Sequence, residues 1–440
     1  MHIKKVSLYI FLLCILGLVV YVFTVYRNPP GKIRNVILIS IDSLGAKHLD
    51  AYGYPRQTTP NLDRFLGASY VYLNTISPSS WTIPSHMSVF TSMYPSEHKM
   101  VNEFSAFDLR TQKAVIANLK NVAPSAVTLA EILRNNGFVT AAFTGDAGLD
   151  KQFGFGQGFD TFFDEVSYGG FDTTVPQAFD WLAKHKDKKF FLFLHGYDVN
   201  PQYTPAGGYD NRYVDESNVD GKNPQISRSV AVYDEKINRT DLKFKDIMDR
   251  LQKSGVMGNT LVIVFSDHGL ENYEHGGLGA GMTLYGELTD VLLAIHKPGQ
   301  TVGKKIGDTV SSLDIFPTVL TLLGIQNPVP GQVKGIDLTP SFNGTPVSRI
   351  VFSETDRFLS THKRSVQTPD GWKFIFTLNS QKKELYNLNT DPQEQNNITG
   401  AEPQKTKELE QILEKHLKDM NADKGPWTIG CPPGFTQWCE

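Results

Sequence analysis

Cysteine is scarce in this chain, and where the few cysteines stand excludes two chemistries. Cys14 lies in an apolar run near the N-terminus, and Cys431 and Cys439 close the C-terminal stretch CPPGFTQWC. They cannot supply a thiolate zinc site, and no histidine stands near them in sequence to make a catalytic thiol. In an oxidising compartment Cys431 and Cys439 fit a small disulfide loop; two free thiols is the other reading. Excess charge is lacking as well: 43 basic against 46 acidic residues leave a net charge of -3. Nucleic-acid binders usually show a basic face, so no nucleic-acid partner is expected. There is no low-complexity tract and no fixed-period repeat. Only one segment is long and apolar enough to span a bilayer, which excludes a transporter or channel.

That one segment is at the N-terminus. Lys4 and Lys5 precede an uncharged apolar run from Val6 to Tyr26, closed by Arg27 and the pair Pro29-Pro30. Roughly twenty apolar residues match a bilayer span. The rival reading is a cleaved signal peptide, which is shorter and ends in small residues. Here the run ends in Val20-Tyr21-Val22-Phe23-Thr24, which is bulky, so a retained transmembrane anchor over residues 1–30 is the expectation. The lysines before it place the N-terminus in the cytoplasm and the rest of the chain on the exported side, periplasmic, extracellular or lumenal.

Beyond the anchor, four apolar runs read as buried strands: Asn35–Ile41, Phe190–Leu194, Thr260–Phe265 and Val291–Ile295. Their continuity fits strands covered on both faces of a parallel sheet. Helix-like stretches such as Val127–Asn136 and Tyr233–Ser254 lie between them, so the expected class is α/β with a doubly wound sheet. From about Arg349 the character changes. Val351–Ser353, Lys373–Phe376 and Glu384–Asn387 read as short strands, Asp370-Gly371 as a hairpin turn, and Thr406–Met420 as an amphipathic helix. The division is 31–345 for a large α/β domain and 346–440 for a small antiparallel subdomain.

The residues just past each strand matter more than the strand itself. The first strand ends in Asp42, the second in His195 with Asp198 behind it, the third in Ser266-Asp267-His268-Gly269. Ligands of open α/β sheets bind just beyond the carboxyl ends of the strands. Asp42, Asp267 and His268 are oxygen and imidazole donors suited to Ca, Mg, Mn or Zn. Thr82, in Ser80-Trp81-Thr82-Ile83-Pro84-Ser85-His86, falls at or just before a helix start, because proline favours the first helical turn. An anion is favoured there, and a hydroxyl so placed on a metal is a candidate nucleophile. The plainer reading is that Thr82 only caps the helix.

The stretches NVILISIDSLGAKHLDAYGY, PSSWTIPSHMSVFTSMYPSEH, SDHGLENYEHGG with GMTLYGEL, SSLDIFPTVLTLLGI and ELYNLNTDPQEQNNI together resemble the sulfatase family, in the family's order and over nearly everything after residue 33. The resemblance implies an alkaline-phosphatase-like core with a smaller C-terminal subdomain. It implies a divalent metal held by Asp42, Asp267 and His268, with Thr82 at the nucleophile position and His86 at the basic position four residues on. The chain also departs from the pattern. Sulfatases proper oxidise Cys or Ser to a formylglycine aldehyde, whereas Thr82 carries a methyl on Cβ and the same oxidation gives only a ketone. Ser43 replaces the second acid of the first metal motif. Asp198-Val199-Asn200 replaces Asp-Pro-His, Asp146 replaces a lysine, and Ala280 replaces a basic residue before Thr283-Leu284-Tyr285. The candidates to supply the missing positive charge are His86, His195, His275, Lys151 and Lys363.

Two functions fit. One is a metal-dependent enzyme in which Thr82 attacks a sulfate, phosphate or phosphonate ester and His195 or His275 protonates the leaving group. Its acceptor or substrate is an anionic ester, such as a cell-envelope glycan or lipid head group beside the membrane. The other is a catalytically degenerate member of the fold serving as a membrane-bound binding or scaffolding protein. Asn238-Arg-Thr, Asn343-Gly-Thr and Asn397-Ile-Thr are glycosylation sequons.

Overall fold

The computed structural model describes residues 31–100, 105–108, 113–116, 122–123, 125–145, 148–166, 168–203, 213, 224–357, 361–378 and 380–420. The expected N-terminal anchor, Asp146 and the Cys431–Cys439 loop lie outside these residues. Among the described residues no helix is long and apolar enough to cross a membrane.

The strand β1 (Asn35–Ile41) is buried along its whole length. Val36 and Leu38 enter one core with Phe191, Phe193 and Ile263. Ile37 and Ile39 enter the opposite core with Leu192, Leu194 and Val264. Both faces of the pleat are therefore covered, which is why the run is continuous and not alternating. In chain order the other strands of this sheet and its hairpins are β2 (Tyr70–Ile76), β3 (Ser105–Asp108), β4 (Lys113–Ile116), β5 (Val139–Phe143), β6 (Thr161–Phe163), β7 (Phe190–Gly196), β8 (Thr260–Phe265), β9 (Glu271–Asn272), β10 (Leu278–Gly279), β11 (Leu293–His296) and β12 (Lys304–Ser311).

Eight of these form one sheet in the order β12-β2-β11-β8-β1-β7-β5-β6. β1 runs parallel to both β7 and β8, so three carboxyl ends lie side by side. One strand of the expected doubly wound sheet runs against the others: β11 is antiparallel to β8 and to β2. No long helix separates β8 from β11, only the short β9–β10 ladder and the turn Gly286–Thr289. The chain therefore re-enters the sheet from the edge it has just left, and runs back.

The helix Pro224–Ser254 packs Ile237, Phe244, Ile247 and Leu251 against one face of the sheet. It begins earlier than the sequence pattern suggests, at a proline suited to a first turn. Asn238 of the first sequon is buried on this helix and donates to the Thr58 carbonyl at 3.1 Å, so it is not available to a glycan.

After the main sheet come β13 (Val351–Thr355), β14 (Lys363–Gln367), β15 (Trp372–Thr377) and β16 (Lys382–Asn387), an antiparallel meander. The β14–β15 turn holds Gly371 at φ +87°, a left-handed position that suits the Asp370-Gly371 pair. The helix Pro403–Asp419 lays Leu409, Leu413 and Leu417 on Val366, Phe374 and Leu385, one leucine per turn on a single face.

Candidate active site

Three strand ends meet. Asp42 follows β1, His195 lies near the end of β7, and Asp267-His268 come just after β8; all four side chains are buried. The loop after β1 turns sharply because Ser43 adopts φ +59°, a left-handed conformation uncommon for a side-chain-bearing residue. Tyr233, from the long helix, holds this turn: its hydroxyl donates to the Ser43 carbonyl at 2.6 Å and accepts from the Gly45 N–H at 2.8 Å. The loop after β8 is equally constrained. A Cβ on Gly269 would lie 2.0 Å from the Glu287 carbonyl oxygen, so only glycine fits beside His268.

Asp42 Oδ1 accepts from Ser43 Oγ at 2.7 Å and from Asn200 Nδ2 at 2.8 Å. The amide of Asn200 is oriented by the Gln202 N–H, which donates to its Oδ1 at 2.9 Å. Thr82 Oγ1 lies 3.1 Å from Asp42 Oδ2 and 3.1 Å from His268 Nε2. His268 Nδ1 is 2.6 Å from the Gly269 carbonyl, which can only accept, so its proton is on Nδ1 and its Nε2 lone pair faces Thr82. Asp267 Oδ1 accepts from the Ser43 and His268 N–H groups at 3.0 and 2.9 Å. Its Oδ2 is buried without a hydrogen-bond partner, 3.4 Å from His268 Nε2 and 3.5 Å from His86 Nδ1.

Thr82 has one proton to give, and two acceptors wait for it while a third, Asp267 Oδ2, has none. Ligand atoms of Asp42, Asp267 and His268 all lie within 4.8 Å of one another. Converging lone pairs with no donor among them are the donor set a divalent cation satisfies. The electrostatics agree. Burial, with Asp42 close by, pushes Asp267 well above the usual carboxylate range. Burial also works to raise Asp42, but its contacts with His195 and the Ser43 hydroxyl outweigh it and hold Asp42 well below that range. Burial lowers His268, which stays neutral as a ligand must.

Thr82 is the first residue of the helix Thr82–Thr91, with Pro84 in its first turn. It opens onto a cavity of about 150 Å³ lined by Ser43, Trp81, Asn200, His268, Ala280 and Arg357, among others. The other sequence candidates lie elsewhere. His86 is sealed behind the acids, with Nδ1 2.9 Å from the Thr82 carbonyl and Nε2 2.8 Å from Ser40 Oγ; burial and the neighbouring His195 lower it to about 3. His195 is fully buried, with Nε2 3.6 Å from Asp42 Oδ2, and it does not line the cavity. His275 is held by Glu287 at 2.6 Å and by the Glu394 carbonyl at 3.0 Å, stacked on Tyr285, and it faces the small sheet. Lys151 pairs with Asp164, and Lys363 begins β14; neither lines the cavity.

The cation that does line it, Arg357, is one that no sequence pattern singles out. It stands just past β13, with Nη1 donating to the Ala280 carbonyl at 2.8 Å and its guanidinium 5.5 Å from the Trp81 ring centre. Its charge also helps to keep His268 deprotonated. The end of β13 brings it here, where Glu354 bridges Ser79 in the segment after β2. Ala280, where the resemblance places a basic residue, is thus met by an arginine from another part of the chain.

A family model described as Sulfatase matches residues 34–325, and one described as N-sulphoglucosamine sulphohydrolase, C-terminal, matches residues 274–423. The chain is 29% identical to the arylsulfatase K of Bos taurus over 43% of its own length, and spans only 36% of that relative. It is 24% identical to the human arylsulfatase A, covering 93% of this chain and 94% of that one. The phosphonate monoester hydrolase of Agrobacterium radiobacter shares the fold, with a TM-score of 0.67 at 17% identity, over 88% of this chain and 95% of the other.

Proposed function

The chain belongs to the sulfatase family, and from that premise we propose that it is a metal-dependent hydrolase or transferase of a sulfate, phosphate or phosphonate ester, with Thr82 as its nucleophile. One observation carries the reading: Thr82 Oγ1 stands 3.1 Å from both Asp42 Oδ2 and His268 Nε2, where three lone pairs converge and, among the described residues, no lysine or arginine pairs with them. Asp42, Asp267 and His268 would hold a divalent ion. When bound, such an ion lowers the pKa of a coordinated hydroxyl and draws electron density from an ester oxygen. The imidazole in the set suits Zn, and the two carboxylates suit Ca, Mg or Mn.

The chain's own residues do the rest. Asp42 Oδ2 takes the hydrogen bond of the Thr82 hydroxyl and orients its lone pair toward the cavity. Arg357 meets the ester's non-bridging oxygens, with the start of the helix Thr82–Thr91 on the other side. Trp81 packs beneath Arg357 and limits its motion. His195 and His275 are held away from the cavity; the leaving oxygen takes its proton from a water, and the hydroxide that remains takes the proton lost by the Thr82 hydroxyl. Because Thr82 carries a β-methyl group, the covalent intermediate is an ester of its oxygen. Water or an acceptor alcohol then releases it. The N-terminal run anchors the domain on the exported side of a membrane, beside glycans or lipid head groups, and retention with membranes after an alkaline carbonate wash checks that placement.

The decisive experiment pairs metal content with turnover. Full-length protein purified from metal-supplemented cells should hold close to one equivalent of divalent ion by mass spectrometry. Thr82→Ala should keep that ion and lose at least ~1000-fold in turnover across a panel of aryl sulfate, phosphate and phosphonate esters. A parent that takes up no Ca, Mg, Mn or Zn, and is inert on the panel, would establish the binding-protein reading instead.

A further inference from the structure

A cavity of about 480 Å³ lies between the helix Phe171–His185 and the long helix Pro224–Ser254; Asp198 and Tyr203 of the loop after β7 also line it, with Lys236 and Lys243. The loop is the one that delivers Asn200 to Asp42. The first half of the loop is held by packing, with Tyr197 and Val199 buried and Val199 in the core. Past Val199 the restraint is polar. Lys236 reaches from the long helix and donates to two loop carbonyls, those of Asn200 at 2.7 Å and Tyr203 at 2.9 Å. Lys243, two turns on, donates to Asp198 Oδ1 at 2.7 Å, and Asp198 Oδ2 accepts from the Phe171 N–H at 2.7 Å.

We propose that Lys236 is a positioning residue, which ties the Asn200–Tyr203 part of the loop to the long helix so that the Asn200 amide stays on Asp42 Oδ1. The geometry leaves little slack. Asn200 Nδ2 reaches Asp42 Oδ1 at 2.8 Å and Ser43 Oγ at 3.3 Å, replacing by neutral hydrogen bonds what a second acid would do at position 43. That amide keeps Oδ1 occupied and leaves Oδ2 to face Thr82 and the lone-pair cluster. If the loop draws back, Asp42 Oδ1 keeps only the Ser43 hydroxyl at 2.7 Å, and the donor set is less firmly pre-formed. The same helix carries Tyr233, three residues before Lys236, which grips Ser43 and Gly45. One rigid element thus fixes both loops that surround Asp42. Lys236 is itself nearly buried, and burial lowers its ammonium to about 8. It remains charged at neutral pH and keeps its donors for the two carbonyls.

The inference rests on the metal-site reading only for its functional readout, and the test separates the two. Amide hydrogen exchange on the full-length protein reads the loop directly. In Lys236→Met the N–H groups of Asn200, Gln202 and Tyr203 should exchange at least tenfold faster than in the parent. Those of β13–β16 should not change, which shows that the fold is intact. Lys236→Gln, which keeps a donor for one carbonyl, should fall between. Unchanged exchange at the three amides in both variants overturns the proposal. Titration of metal-stripped protein with Mn²⁺ then reads the consequence. Lys236→Met and Asn200→Ala should each weaken binding by roughly tenfold, and the double variant no further than Asn200→Ala alone. Additive losses overturn the proposal, since Lys236 would then act by a route other than Asn200. If the parent itself binds no Mn²⁺ while its loop amides respond to Lys236→Met, the metal reading fails and the positioning role stands.

Discussion

Among the described residues, two buried pairs of acids are neutralised in opposite ways. At the edge of the large sheet Asp42 and Asp267 stand with His268, and among the described residues only histidines come within ion-pair distance of them. At the edge of the small sheet Asp356 and Glu354 stand with Arg364, which gives Asp356 two nitrogens at 2.9 Å each. His362 adds a third contact to Asp356 at 2.8 Å, and Ser96 caps Glu354 with its N–H and hydroxyl at 3.0 Å. Burial works to raise Asp356, but Arg364 outweighs it and holds the carboxyl below its usual range. Asp267 has no such partner and is pushed well above. One cluster brings its counter-charge in the chain and is therefore structural. The other has only histidines within ion-pair distance among the described residues, and it is the candidate metal site.

The contrast breaks most visibly if the acid without a partner is removed. Asp267→Ala should weaken divalent-metal binding by at least ~1000-fold, about 4 kcal/mol. Its metal-free melting temperature should fall only a little, because the gain from losing the unpaired Oδ2 offsets the loss of the acceptor for the Ser43 and His268 N–H groups. A large fall in the metal-free melting temperature would show that Asp267 is structural and the two clusters alike. The reverse holds at the small sheet. Arg364→Met leaves two acids buried without their cation and should cost about 3–5 kcal/mol in denaturant unfolding. The folded fraction should still take up metal in the parent's ratio.

The amino-acid sequence exposes one cluster and hides the other for a physical reason. Asp42, His195 and Asp267-His268 each close an apolar run that is buried on both faces, and parallel strands put their ends together. Such runs are conspicuous, and so are the polar residues at their ends. β2 and β12 have mixed, partly exposed faces, and β14 carries Lys363, Arg364 and Ser365, so none stands out. Pattern alone therefore leaves Arg364 unplaced, and with it the strand that aligns Arg357's neighbourhood. Arg357 reaches the site because the end of β13 bridges the segment after β2, Glu354 to Pro78 and Ser79, a pairing between residues distant in sequence that no local pattern encodes. The histidines mislead in the opposite direction. His86 and His275 look reactive by type, but burial seals the first, and Glu287 with the Glu394 carbonyl engages the second. The reversal of β11 is invisible in sequence because a buried strand looks the same in either direction.

Arg357 sharpens the comparison, since it is a cation the small sheet lends to the large one's site. Arg357→Ala should raise KM for an anionic ester by roughly 10- to 100-fold, the loss of a charge-assisted contact worth about 1.5–3 kcal/mol. Metal content should not move. Arg357→Lys should recover only part of the loss, because a lysine offers no planar fork to two oxygens. An effect on metal content equal to that of Asp267→Ala would place Arg357 with the ligands and not with the substrate.

Each cluster also has a buried neutral histidine beside it, His86 behind Asp267 and His98 two residues from Ser96, and the second allows the smallest test. His98 accepts from the Met100 N–H at Nδ1, 3.2 Å away, and its Nε2 lies 3.1 Å from Ser88 Oγ. Burial lowers its pKa to about 3. An unfolded histidine titrates near ~6.5, so between these values the unfolded chain binds the extra proton. Stability from this group is complete above pH ~6.5 and falls as pH drops toward ~3, by about 1.4 kcal/mol per pH unit. His98→Gln keeps a neutral donor and acceptor in the same place and has nothing to titrate. Between pH ~6.5 and ~5 the parent should lose about 2 kcal/mol more than this variant in urea unfolding. The metal-binding ratio at pH ~7 should be the same in both, because His98 touches the structural side of the comparison and not the site. Parallel acid limbs in the two proteins would mean that His98 is already protonated in the fold, and that its surroundings supply a counter-charge as Arg364 does for Asp356.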